Sequence, residues 1–174
     1  MDILDRLLGH NSTAFRQLLE LSRGLSEEQL DRKFPIGLGS VRATIHHILE
    51  SFEWWTDLML GKARRKLAED AMTLGGLEAR FEKVSAELAE VARRKQREGK
   101  LDEHWAARPP EQEETHDYGN TVVHALTHAA HHRAQWMFLL KQLGVEGIPT
   151  AQALRWEARP KDVAGTQPSR SLGG

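Results

Sequence analysis

Apolar side chains in this chain recur every three or four residues, not every second one, so the pattern predicts helices and no strand of useful length. The first helix is expected from about Asp2 to Arg23, with Ile3, Leu7, Leu18 and Leu21 among its apolar positions, and stops at Gly24. Ser26-Glu-Glu-Gln29 reads as a capping box that opens a short helix to about Phe34. Pro35 and Gly37-Leu-Gly39 then break the chain. A second long helix opens on Ser40 and continues to about Leu60, with Val41, Ile45, Ile48, Phe52 and Trp55 as its core stripe. A third covers Leu77 to Gln96, repeating Leu77, Phe81, Val84, Leu88 and Val91, and ends in a basic turn before Gly99.

Residues 101–118 carry Pro109-Pro110 and a dense acidic patch; they read as a loop with room for a short hairpin. Gly119-Asn120-Thr121 then starts a last long helix that runs to Leu143 before Gly144. Four long amphipathic helices without a repeat predict an all-α, up-and-down four-helix bundle with one short extra helix. The bundle domain is expected over residues 1–158. The stretch 159–174, rich in Pro, Gly and Ser, is expected to be a mobile tail.

Length and composition narrow the chemistry. The chain has 174 residues, 40% of them hydrophobic and 28% charged, which is ordinary for one globular domain. Its net charge of −1 gives no basic excess for nucleic acid. No segment reaches the roughly 20 apolar residues of a membrane span, and the N-terminus lacks a signal-peptide pattern, so a cytoplasmic location is expected. There is no cysteine. Any metal must therefore be held by histidine and carboxylate, and any thiol chemistry must use a thiol brought by the substrate.

Histidine is where the chain concentrates its chemistry. Four of its nine histidines, His124, His128, His131 and His132, fall within the last helix. His128 and His132 are one turn apart, about 6 Å along the axis, a spacing at which two imidazoles can close on one transition-metal ion. On the helical wheel His124, His132, Gln135 and Leu139 fall within about 40° of His128, beside the apolar stripe of Val122, Leu126, Trp136, Met137 and Leu140. That position is a bundle seam, where a facing helix can add ligands. His46-His47 on the second helix offers one, but the two point about 100° apart and periodicity does not choose between them. Glu113 and His116 have the Glu-x-x-His spacing of di-iron bundles, yet lie in a predicted loop without a second copy. Trp54-Trp55 reads as core and interface packing. No phosphate-binding glycine loop and no Gly-x-Ser-x-Gly turn is present.

Ser40-Val41, His47-Ile48 and the Glu53-Trp54-Trp55 ending resemble the second helix of the DinB-like (YfiT-like) metalloproteins. His128-x-x-x-His132-Arg133-Ala134-Gln135 resembles that family's motif on its last long helix, with Ala134 where glycine is usual. Order, separation and the Leu143-Gly144 ending agree from about Asp2 to Pro149. The resemblance implies His47, not His46, as a metal ligand with His128 and His132. It also implies one divalent ion, nickel or zinc and sometimes iron or manganese, and a homodimer of bundles. His124 and His131 are expected around the site as pocket residues, and Glu50, one turn from His47, as a partner for its ring or a pocket base.

Three imidazoles leave coordination positions open, the arrangement of a catalytic site. By resemblance the expected activity is metal-dependent transfer of a low-molecular-weight thiol to a small-molecule electrophile. A metal-dependent hydrolase and a non-enzymatic, stress-associated metal or ligand-binding protein are the alternatives.

Overall fold

A computed structural model describes residues 1–106 and 115–149. Five helices and two short strands follow in chain order: α1 (Ile3–Ser22), α2 (Glu27–Asp31), α3 (Val41–Met59), α4 (Leu74–Arg97), β1 (His104–Ala106), β2 (Thr115–Asp117) and α5 (Tyr118–Gln142). Each helix begins where a short polar side chain satisfies a backbone N–H of the first turn. Asp2 accepts from Asp5, Ser40 from Ala43, Thr73 from Gly76 and Asp117 from Asn120. Ser26 and Gln29 close the reciprocal capping box at α2.

The four long helices form one bundle. α3 packs against α4 and α5, and α1 packs against the same two, so α1 and α3 occupy opposite corners. Among the bundle's fully buried side chains are Phe15, Phe52, Phe81 and Trp136. Phe15 and Phe81 stack with ring centroids 4.1 Å apart, and Trp136 meets Phe15 edge-on at 5.2 Å. The Trp136 indole N–H donates to Ser22 Oγ at 3.1 Å, so this fully buried ring carries no orphaned donor. The all-α bundle and the short α2 are as the apolar pattern predicts.

Three details differ from that pattern. α4 begins three residues before the first apolar repeat, because Thr73 caps it and Gly76 allows the tight entry. A Cβ at Gly76 would run into the Asp70 backbone. Ile3 and Leu7 of α1 are exposed, at 77% and 47%, and Leu8, Phe15, Leu18 and Leu19 fill the core instead. The expected hairpin forms, with His104 opposite Asp117 and Ala106 opposite Thr115. Its second strand runs directly into α5, which starts at Tyr118 with Asp117 as its cap. The acidic patch and Pro109-Pro110 fall largely outside the described residues, as do Glu113 and the stretch 159–174.

Candidate metal centre

His47 comes from the middle of α3 and His128 and His132 from successive turns of α5, at the seam between the two helices. The structure brings these three together: one ring nitrogen of each lies within 4.8 Å of the other two. Their ring centroids form a triangle with sides of 5.0, 4.6 and 4.5 Å. Tetrahedral ligands at metal–nitrogen distances of about 2.0–2.1 Å stand about 3.4 Å from one another, so rotamer adjustments of an ångström or so would close the triad on one ion. His132 is buried and the other two are half-buried, which leaves one side of the cluster open.

One ring has its orientation fixed. His132 Nδ1 lies 2.9 Å from the Gln135 side-chain oxygen, which can only accept, so Nδ1 carries the proton and Nε2 keeps its lone pair. The Gln135 amide N–H in turn donates to His131 Nε2 at 2.9 Å. Gln135 is itself held from behind by the loop before α3. Gly37 sits at φ +49°, and a Cβ there would overlap the Gln135 amide. Sequence reading took Gly37 only as a chain break. Its packing against a residue 98 positions away follows from the fold, and its one sequence signal was a glycine in a short turn between helices.

The electrostatics favour neutral imidazoles. Burial, with His132 and His47 close by, holds His128 down to about 4. Burial also lowers His132, partly opposed by its bond to Gln135. A metal ligand must be unprotonated, and these two are so at neutral pH. His128 Nδ1 is buried with no hydrogen-bond partner among the described residues. Three imidazoles, one with a buried nitrogen left without a partner among the described residues, fit a borderline divalent ion.

His46 faces the opposite way. Its Nδ1 meets Arg80 of α4 at 3.0 Å, and Arg80 makes two bonds to Glu53 at 3.0 and 2.8 Å. Packing separates the two adjacent rings: His46 belongs to the α3–α4 seam and His47 to the α3–α5 seam. Glu50 pairs with Arg64, away from the role expected of it at His47. Trp54, expected in the core, is 37% exposed beneath Arg64. Ala134 is exposed, so its methyl does not crowd the triad.

His124 lies one turn before His128, with ring centroids 5.7 Å apart. It lines a cavity of about 340 Å³ together with Trp55, His116, Asn120 and Thr121. Trp55 packs edge-on against both His116 and His124, at 5.6 and 5.3 Å. The cavity therefore has an aromatic wall and opens beside the triad.

Comparison with known proteins adds one finding. The model of the DinB family matches residues 1–163. A search of curated proteins returns no match.

Proposed function

The chain belongs to the DinB family, and on that premise we propose that it binds one divalent ion through His47, His128 and His132 and promotes transfer of a low-molecular-weight thiol to an electrophile. The observation that carries this reading is the convergence of three ring nitrogens within 4.8 Å in a chain without cysteine. A bound nickel or zinc ion would supply positive charge that favours the thiolate over the thiol. The protein's own part is positional. Gln135 keeps the His132 Nε2 lone pair toward the triad, and the Trp55–His124 wall gives a small substrate a water-poor surface beside it. The sulfur must arrive with the substrate, which suits the cytoplasm and its reduced thiol pool.

We also take the chain to act as a homodimer. Ile3 and Leu7 of α1 and Val123 and Phe138 of α5 are exposed apolar side chains on two helices that pack together. Light scattering that gave only the 19.7 kDa mass of one chain would remove that part.

The activity test loads the tag-free protein with nickel or zinc and supplies a panel of small thiols with chromogenic electrophiles. Turnover above the background of a His128→Ala variant is expected. Equal rates for the two proteins across thiol and ester panels would leave metal or ligand binding as the function.

A further inference from the structure

Arginines drawn into this bundle are matched with carboxylates, with one exception. Arg42, 9% exposed, is held by Asp31 and Glu27. Arg80 is held by Glu53, and Arg65 by Asp57 and Glu87. Arg133 of α5 is more deeply buried than Arg42, at 6% exposed. Its partner is neutral: Nη1 donates to the side-chain oxygen of Asn11 on α1. Among the described residues no carboxylate pairs with it. The next titratable group facing it is half-buried His10, which its charge pushes down further than burial alone.

The guanidinium of an arginine carries its charge at neutral pH. A buried charge without a counter-charge is costly, and a folded chain keeps one where something else completes it. The guanidinium has five N–H donors in a planar fork suited to two oxygens of one acceptor. Among the described residues the fully buried side-chain polar atoms left without a partner belong to Thr56, Trp105 and His128, so the spare Arg133 donors keep an opening to solvent. Arg133 points about 100° away from His132 around the helix, toward α1, while the triad faces α3.

We propose that Arg133, with Asn11 and His10, forms an oxyanion site between α1 and α5 that takes a carboxylate, sulfate or phosphate group in two-pronged contact with the guanidinium. The group can come free in solution. It can also come as a side-chain carboxylate of a second copy of this chain seated over the exposed Ile3, Leu7, Val123 and Phe138. Both sources present the same chemistry to the same fork.

The test uses the full chain, metal-free and without an affinity tag, so that its result is independent of the metal reading. Melting temperature and light-scattering mass are followed as sodium sulfate replaces sodium chloride at matched ionic strength, for the wild type and Arg133→Met. A free oxyanion predicts a sulfate-dependent rise of several degrees in the wild type beyond that of Arg133→Met. A second-copy carboxylate predicts a dimeric wild type and a monomeric Arg133→Met, with matching sulfate responses. Equal sulfate responses together with equal masses overturn the proposal. Should Arg133→Met not fold, the Arg133 Nε–H resonance of the wild type decides. A saturable shift with sulfate, or a position dependent on protein concentration across a monomer–dimer range, supports the site. Constancy in both overturns it.

Discussion

The two sides of α3 solve the problem of buried polarity in opposite ways. Toward α4 they carry full charges in balance: Glu53 against Arg80, and Asp57 against Arg65, which also reaches Glu87. Toward α5 they carry imidazole rings, His47 against His128 and His132, with no carboxylate among the triad. His46 and His47 are adjacent in sequence and fall on different sides. One is a neighbour in an ion-pair network, the other a member of a donor cluster. The charge-balanced seam is complete within the chain, whereas the other leaves His128 Nδ1 without a partner among the described residues and brings together three rings that could hold a cation.

Breaking the balanced side has the largest expected effect on stability. Glu53→Ala removes the buried carboxylate and leaves the half-buried Arg80 without its counter-charge, a change that costs about 3–5 kcal/mol. Urea unfolding of the metal-free protein should show that loss, while the folded variant keeps its divalent ion. Loss of the ion with little change in unfolding would mean that the two sides do not divide the work in this way.

On the donor side, Gln135→Ala removes the acceptor that holds the His132 ring. Metal affinity is expected to fall about 10- to 100-fold, the usual consequence of deleting a hydrogen-bond partner behind a ligand. Competition with a chromophoric chelator measures it, and an unchanged dissociation constant would assign Gln135 to structure alone. Gly37→Ala acts on the same side chain from behind, through overlap and through its positive φ. It should reproduce a weaker form of the Gln135 effect in the same assay.

A gentler probe is pH. His128 lies near 4 in the fold against an ordinary 6.5. As pH falls below about 6.5 the unfolded chain takes up this proton first, so stability present above that pH is lost progressively toward pH 4. His132, His46 and His10, all lowered chiefly by burial, add to the loss with the same sign. Urea midpoints of the metal-free protein should therefore drop between pH 7 and pH 4.5, and drop less in His128→Gln. Parallel profiles for the two proteins would contradict the shift.

How far the chain discloses itself differs between fold and site. The core stripes of α3 and α4 are legible because Ile45, Ile48 and Phe52, and Phe81, Val84 and Leu88, repeat at the helical period. All six are essentially fully buried. The caps at Ser26 and Ser40 are legible for the same local reason. The start of α4 is not, since its cap at Thr73 and the close approach of the Asp70 backbone to Gly76 leave no apolar repeat before Leu77. In the site, the pairing of His128 with His132 is local and visible. The choice of His47 over His46 needed either the family resemblance or the packing of α4, because a wheel gives angles but not neighbours. Partners such as Arg80 for His46, Gly37 for Gln135 and Asn11 for Arg133 are 34, 98 and 122 positions apart. No periodicity links them.

The central claim is that the α3–α5 seam, and not the α3–α4 seam, holds a cation. Elemental analysis of tag-free wild type, His47→Ala and His46→Ala tests it most directly. The account predicts close to one divalent ion per chain in the wild type and in His46→Ala, and almost none in His47→Ala. Equal metal content in the two variants, or none in the wild type after dialysis against nickel and zinc, would contradict it.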